Sequence, residues 1–382
     1  MTATVLLPEG RRQLREPLPP AQGPPPRSRV AYAAAHVVAD PGADNTPGAP
    51  AVLDWDATLA IRHDLWRMGF GVADAMDTAQ RGMGLDWPAA RELIRRSGAE
   101  ARAVGGRLAC GAVTDQLPAG PHGLDRIKAA YEEQLEEVEA AGATVVLMAS
   151  RHLAAAARSP DDYRQLYGSL LEQARQPVIL HWLGTAFDPA LAGYWGCDDL
   201  DAAADVLLGI IEERPGKVDG VKVSLLDEER ELALRARLPV GVRLYTGDDF
   251  HYDRLIVGDA TGHSDALLGI FDGIGPAAAS ALRCLDHNDV AGYRALIEPT
   301  IPLARRCFAA PTYRYKTGLA FLAWICGRQP TFAMVDGQQS ARSPAHLVEL
   351  FRLADDARLF PDPELAARRL ECFLGVFGEM RL

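Results

Sequence analysis

The sequence predicts an α/β fold in which eight parallel strands close into a barrel and a helical extension follows. Two patterns carry this reading. Short runs that are apolar throughout alternate eight times with stretches of helical periodicity between residues 29 and 274. A strand covered on both faces by helices reads as such a run, which is the signature of a parallel sheet. Polar and ionisable residues also gather where the runs end, the rim at which barrels of this kind carry their chemistry. A doubly wound open sheet is the alternative, but no Gly-x-Gly-x-x-Gly joins a strand to a helix.

Taken in order, residues 1–28 are polar and rich in proline (Pro17, Pro19, Pro20, Pro24, Pro25, Pro26) and are expected to be a disordered or arm-like tail. The first strand falls at 29–39 and a Pro, Gly, Asp and Asn loop at 40–50. Asp56 is expected to cap a helix carrying Leu59, Leu65 and Trp66, which Gly69 closes before a strand at 71–76. A helix at 87–104 leads to a strand at 108–113. Leu124, Ile127, Tyr131, Leu135 and Val138 line the face of a helix stopped by Gly142, ahead of a strand at 144–148. Asp161 or Asp162 starts the next helix, and a strand at 177–183 follows. Leu200, Val206, Leu207, Ile210 and Ile211 mark the helix before the strand 218–224. A short helix at 228–238 precedes the last two strands, at 241–246 and 265–271. Residues 275–382 read as helical, a layer packed on the barrel or on a partner subunit.

Composition narrows the function. A formal net charge of −11 argues against a nucleic-acid partner. No apolar run reaches the roughly 18 residues that span a bilayer, and the polar N-terminal stretch has no apolar signal core. Six cysteines without a C-x-x-C pair read as reduced thiols. A cytoplasmic protein with a small-molecule substrate is expected.

The strand ends present His36 or Asp40, Asp77 and Thr78, Thr114 to Gln116, Ser150 to His152, His181, Lys222, Thr246 to Asp249 with His251, and Asp272. Asp115 and Asp249 are read as helix caps or loop residues facing water. Lys222 stands out. The chain holds 4 lysines against 36 arginines, so a lysine inside an apolar strand suggests a need for an amine. Arginine cannot lose its proton, whereas a desolvated lysine can, and can then attack a carbonyl to form an imine. The plain alternative is a strand-end lysine reaching solvent or pairing with Asp219 or Asp227. A second chemistry would have His36, Asp77, His181 and either Asp248 or His251 hold a divalent metal, although no H-x-H or H-E-x-x-H spacing is present.

The order of these pieces resembles the dihydrodipicolinate synthase and N-acetylneuraminate lyase family of class I aldolases, in a divergent, uncharacterised branch. Gly220-Val221-Lys222 is similar to that family's Gly-Ile-Lys strand, and Tyr245-Thr246-Gly247-Asp248-Asp249 to its Ser-Gly-Asp-Asp segment. Ala260-Thr261-Gly262 with the stretch 265–276 resembles the last strand and its closing proline. Arg314-Tyr315-Lys316-Thr317-Gly318 resembles a helix start in the family's C-terminal region. The resemblance spans roughly residues 29 to 355. It implies a TIM barrel, a Schiff base on Lys222, and a homo-oligomer, dimer or tetramer. The family's carboxylate-binding Gly-Thr-Thr-Gly-Glu loop falls on residues 77–81, where only Thr78 survives, Asp77 adds an acid and Arg81 replaces one. Its proton-relaying tyrosine falls near Ser150-Arg151-His152, which holds no tyrosine, and His181 stands in the fifth-strand position.

The leading expectation is therefore a Schiff-base lyase or aldolase for a small oxo-acid or sugar-derived carbonyl compound, needing no cofactor. Lys222 is the nucleophile and His181 the acid/base candidate, with His152 as a further one. Thr78, Asp77, Arg151 and His152 contact substrate, and Asp248 supports the site or meets a substrate hydroxyl. The rivals are a metal-dependent hydrolase, isomerase or lyase, and a barrel that binds a small molecule without catalysis.

Overall fold

The computed structural model describes residues 3–7 and 10–377. An antiparallel hairpin, β1 (Thr4–Leu7) and β2 (Gly10–Gln13), precedes the barrel. The barrel strands are β3 (Ala31–Ala34), β4 (Gly71–Asp74), β5 (Leu108–Ala112), β6 (Thr144–Leu147), β7 (Val178–Leu183), β8 (Val218–Ser224), β9 (Arg243–Thr246) and β10 (Asp265–Leu268). They pair in parallel in chain order, and β10 closes onto β3. Helices between the strands cover the outside, so the runs are buried on both faces and closure leaves no strand edge.

Apart from β8, which fills its expected span 218–224, the strands are shorter than their apolar runs. After Ala34 the chain leaves the ladder: His36 N–H donates to Asp272 (3.2 Å) and Val38 N–H to Thr58 Oγ1 (3.0 Å). After Asp74, Ala75 adopts φ 49°, a left-handed conformation that ends β4. Two helix starts differ from expectation. Asp54, not Asp56, caps the first helix, accepting from Ala57 N–H (3.0 Å); Asp56 sits in the first turn. Ser159 takes the cap position before Pro160–Gln173, and Asp162 reaches back to the Ser159 N–H (3.2 Å).

The barrel interior is filled by Tyr32, Ala34, Ala73, Met76, Ala109, Val113, Val146, Met148, Ile179, Tyr245 and Leu267. A helix Ile270–Asp286, kinked at Ile274, follows β10 directly, and the helices Val290–Ile297, Ile301–Cys307, Tyr315–Ile325, Pro344–Asp356 and Pro363–Val376 build the layer beyond it. A buried polar cluster joins that layer to β3. His36 Nδ1 bonds Asp272, His36 Nε2 lies 2.7 Å from Gln329 Oε1, and Arg328 pairs with Asp272 (3.0 Å). The N-terminal segment is laid along this frame. Val5, Leu7 and Leu14 are buried, Arg12 pairs with Asp355 (2.7 Å) and Asp356 (2.9 Å), and Ser28 Oγ donates to Asp286 (2.7 Å).

Candidate active site

Lys222 sits in the middle of the barrel wall. In the β7–β8 register it faces His181, and in the β8–β9 register it faces Tyr245. Residues paired across parallel strands point to the same side of the sheet, and Tyr245 belongs to the interior cluster. Lys222 therefore projects inward. Its methylene stem lies across Gly247: a Cβ on that glycine would overlap Ser224 Oγ and stand 3.0 Å from Lys222 Cε. The absence of a side chain at Gly247 is what lets the amine rise toward the C-terminal mouth.

Lys222 is 5 % exposed, and its amine makes no ion pair or hydrogen bond among the described residues. The alternative partners are engaged elsewhere: Asp219 with Arg243 and the Tyr245 hydroxyl, Asp227 as a helix cap. Burial lowers the Lys222 pKa; the fields of Asp77 and Asp249 oppose this, and the net shift is downward. Burial also pushes the Asp249 carboxyl well above its ordinary value, with Asp248 and Asp77 adding to the rise. Asp77 is the opposite case. Burial raises it, but Lys222, Lys316, His181 and the Tyr315 hydroxyl outweigh that and hold it below the usual carboxylate range. The Asp77 carboxylate thus faces two buried lysines.

Asp77 and Thr78 are aimed by the turn that Ala75 opens. Tyr315 Oη donates to Asp77 Oδ2 (2.7 Å) and lies 2.7 Å from Thr78 Oγ1. Since the single phenolic proton points at the carboxylate, which can only accept, Thr78 is the donor to Tyr315. The hydrogen bonds thus run in one direction, from Thr78 to Tyr315 to Asp77. Tyr315 opens the helix Tyr315–Ile325, and its ring is fixed by stacking on Phe308 (4.2 Å between centroids, 14° between planes). His181 is fully buried, with Nε2 3.2 Å from Ser224 Oγ and Nδ1 without a partner. Burial, then the Lys222 charge, push its pKa well below 6.5, so it is a neutral imidazole.

Above this layer lies a cavity of about 830 Å³ lined by Asp77, Met83, Val113, Met148, Phe187 and Lys316, with Arg151, His152 and Asp188 also on its wall. Lys316 is buried, donates to Tyr313 O (3.1 Å), and is brought down by burial to about 8. Arg151, expected to hold substrate, lies exposed and paired with Asp188 (2.6 Å). His152 Nδ1 is 2.9 Å from Thr114 Oγ1 and burial lowers its pKa. Asp248 is taken up by its own turn, accepting from Phe250 N–H (2.8 Å) and His251 N–H (3.1 Å) and pairing with His251 Nδ1 (2.8 Å).

The charge that Arg81 brings is neutralised by Asp115, with Gln134 as a further partner (2.9 Å). Asp115 and Asp249 were expected to face water. Asp115 is instead the half-buried partner of that arginine, and Asp249 accepts from Ile270 N–H (2.9 Å) at the mouth. The four residues of the metal alternative do not converge. Both His36 nitrogens are engaged with Asp272 and Gln329, and His251 is held by Asp248. No group of three or more His, Cys, Asp or Glu among the described residues is placed to hold a metal ion. Sequence reasoning missed Tyr315 and Lys316 as site residues; the adjacent tyrosine and buried lysine at a helix start are the signal it had.

The family described as "Protein of unknown function (DUF993)" matches residues 9–379, and the chain belongs to it. No curated protein matches the chain. Among solved structures it is similar to YagE of Escherichia coli K12, a prophage protein of the dihydrodipicolinic acid synthase family in complex with pyruvate (14% identity, TM-score 0.68, 87% of this chain and 99% of that one). It is similar to dihydrodipicolinate synthase from Aquifex aeolicus (12%, 0.66, 87% and 99%) and to the 4-hydroxy-tetrahydrodipicolinate synthase of Methylacidiphilum fumariolicum SolV (15%, 0.65, 90% and 99%). At these identities the likeness establishes the barrel and its C-terminal helices.

Proposed function

We propose that this member of the DUF993 family is a Schiff-base lyase or aldolase acting on a small oxo-acid or sugar-derived carbonyl compound. The observation that carries the reading is a buried lysine amine, free of any ion pair, next to a directed Thr78, Tyr315, Asp77 hydrogen-bond chain. The neutral Lys222 amine attacks the carbonyl carbon, and loss of water from the carbinolamine gives the imine. Each step moves a proton. Asp77 is the terminal base reached through Thr78 and Tyr315, and the partnerless His181 Nδ1 can take the proton from the carbon next to the imine. Lys316, on the wall of the cavity, is the cation placed to meet a substrate carboxylate. The imine itself activates the carbonyl, so the reaction as proposed needs no cofactor. A homo-oligomer, dimer or tetramer, in the cytoplasm belongs to the same proposal.

Enamine formation is tested without knowing the second substrate. In deuterium oxide, wild-type protein should exchange the protons next to the carbonyl of pyruvate or a related oxo-acid, read by NMR. Lys222→Arg should abolish the exchange. Tyr315→Phe, which keeps the stacked ring, should slow it by about 10²-fold or more. Exchange that persists in Lys222→Arg rejects the imine.

A further inference from the structure

The opposite end of the barrel carries a second cavity. It encloses about 550 Å³ beneath the N-terminal ends of the strands, with Tyr32 and Tyr245 in its lining and their rings edge to face at 6.1 Å. Three arginines line it, Arg107, Arg175 and Arg243, against two carboxylates, Glu139 and Asp219. The carboxylates are already used. Glu139 pairs with Arg175 (3.4 Å), and Asp219 accepts from Arg243 and from the Tyr245 hydroxyl (2.6 Å). Arg107 is left over.

Its guanidinium lies 5.8 Å from the Tyr32 ring centre, and both Nε and Nη2 are buried without a hydrogen-bond partner. These two nitrogens form the side edge of the guanidinium, the edge whose parallel N–H bonds match a carboxylate or phosphate. Other arginines here leave Nε alone unmatched; among the described residues only Arg107 leaves the whole edge so. Donor N–H groups covered without a partner are costly, so a fold that keeps two of them beside a cavity gains when an anion enters.

We propose that the N-terminal mouth of the barrel binds a small oxyanion, a carboxylate or phosphate, through the Arg107 side edge, with the guanidinium turning from the Tyr32 ring into the cavity. The site is independent of the Lys222 chemistry. The interior layer of Tyr32, Ile179 and Tyr245 separates the two, and Tyr245 is the register partner of Lys222.

Calorimetric titration of the full chain with inorganic phosphate and with benzoate, at fixed ionic strength, tests this against Arg107→Gln, Arg107→Lys and Lys222→Arg. At least one probe should bind wild type and Lys222→Arg alike, and bind Arg107→Gln about tenfold more weakly or worse. Arg107→Lys, which keeps the charge without the fork, should fall between and covers the case in which the glutamine variant fails to fold. Without ligand, Arg107→Gln should melt at or above the wild-type temperature. Phosphate alone, benzoate alone or both binding in this pattern supports the site and identifies its anion. Binding of neither probe, or binding indifferent to both Arg107 substitutions, or binding lost in Lys222→Arg, overturns it.

Discussion

At the scale of single residues, the site depends on burial shifting each group in the direction its role needs. Desolvation disfavours charge, so it lowers lysine and histidine and raises carboxylates; Asp77 escapes because two lysines face it. Lys222 should consequently react with an amine-directed acylating reagent at a pH where ordinary lysines, with pKa near 10.4, are inert. Mass spectrometry of protein labelled near pH 8 should find Lys222 modified ahead of the half-exposed surface lysine Lys128; the reverse order would contradict a lowered pKa. Lys222 and His181 were legible in the sequence because strand ends are readable from apolar runs. Tyr315 was not. It reaches Thr78 and Asp77 across 237 and 238 positions of chain, and no local pattern records which side chain a distant helix brings to a rim.

Among the elements, two junctions fix where the mouth residues stand. The first joins β3 to the helical layer through His36 and Asp272. Burial favours the neutral Asp272 carboxyl, but the His36 and Arg328 charges hold it well below 3.8. A depressed folded pKa adds stability that is present above the unfolded value of about 3.9 and is lost as pH falls below it. Asp272→Asn should destabilise the protein by about 3 kcal/mol or more at pH 7 and by much less under acid conditions; equal losses in urea melts at both pH values would refute the pairing. The second junction packs Glu231 between β9 and the helix Glu228–Arg235, where Thr246 (3.0 Å) and Ser264 (2.9 Å) bond it. Burial pushes its pKa up to about 8. The folded state then holds the extra proton between roughly pH 4.3 and 8, and stability falls as pH rises through that window. Glu231→Gln should flatten this slope and raise the melting temperature at pH 8, whereas an unchanged slope would assign the pH dependence elsewhere. Helix spans such as Trp87–Val104 were readable because cap and stop residues bound them. Strand ends were overestimated, since the apolar run continues into loops that pack inside the mouth.

For the whole molecule, the barrel was legible because its repeat is written eight times and each copy supports the others. The N-terminal hairpin was not: its strands pair locally, but the contact with Asp355 that holds it in place joins residues more than 300 positions apart. Removing residues 1–16 would expose surface now covered by Val5, Leu7 and Leu14 and strip the buried Asp355 of its arginine. That truncation should cost about 3 kcal/mol or more, seen as a lower melting temperature; unchanged melting would mean the arm contributes nothing to stability.

All of the chemistry rests on one amine, and it can be captured. Borohydride added to the wild-type protein with a panel of small oxo-acids should fix a single adduct, located on Lys222 by peptide mass, and Lys222→Arg should stay unmodified. Wild-type protein that remains unmodified across the panel, or an adduct located on Lys316 instead, would contradict the account.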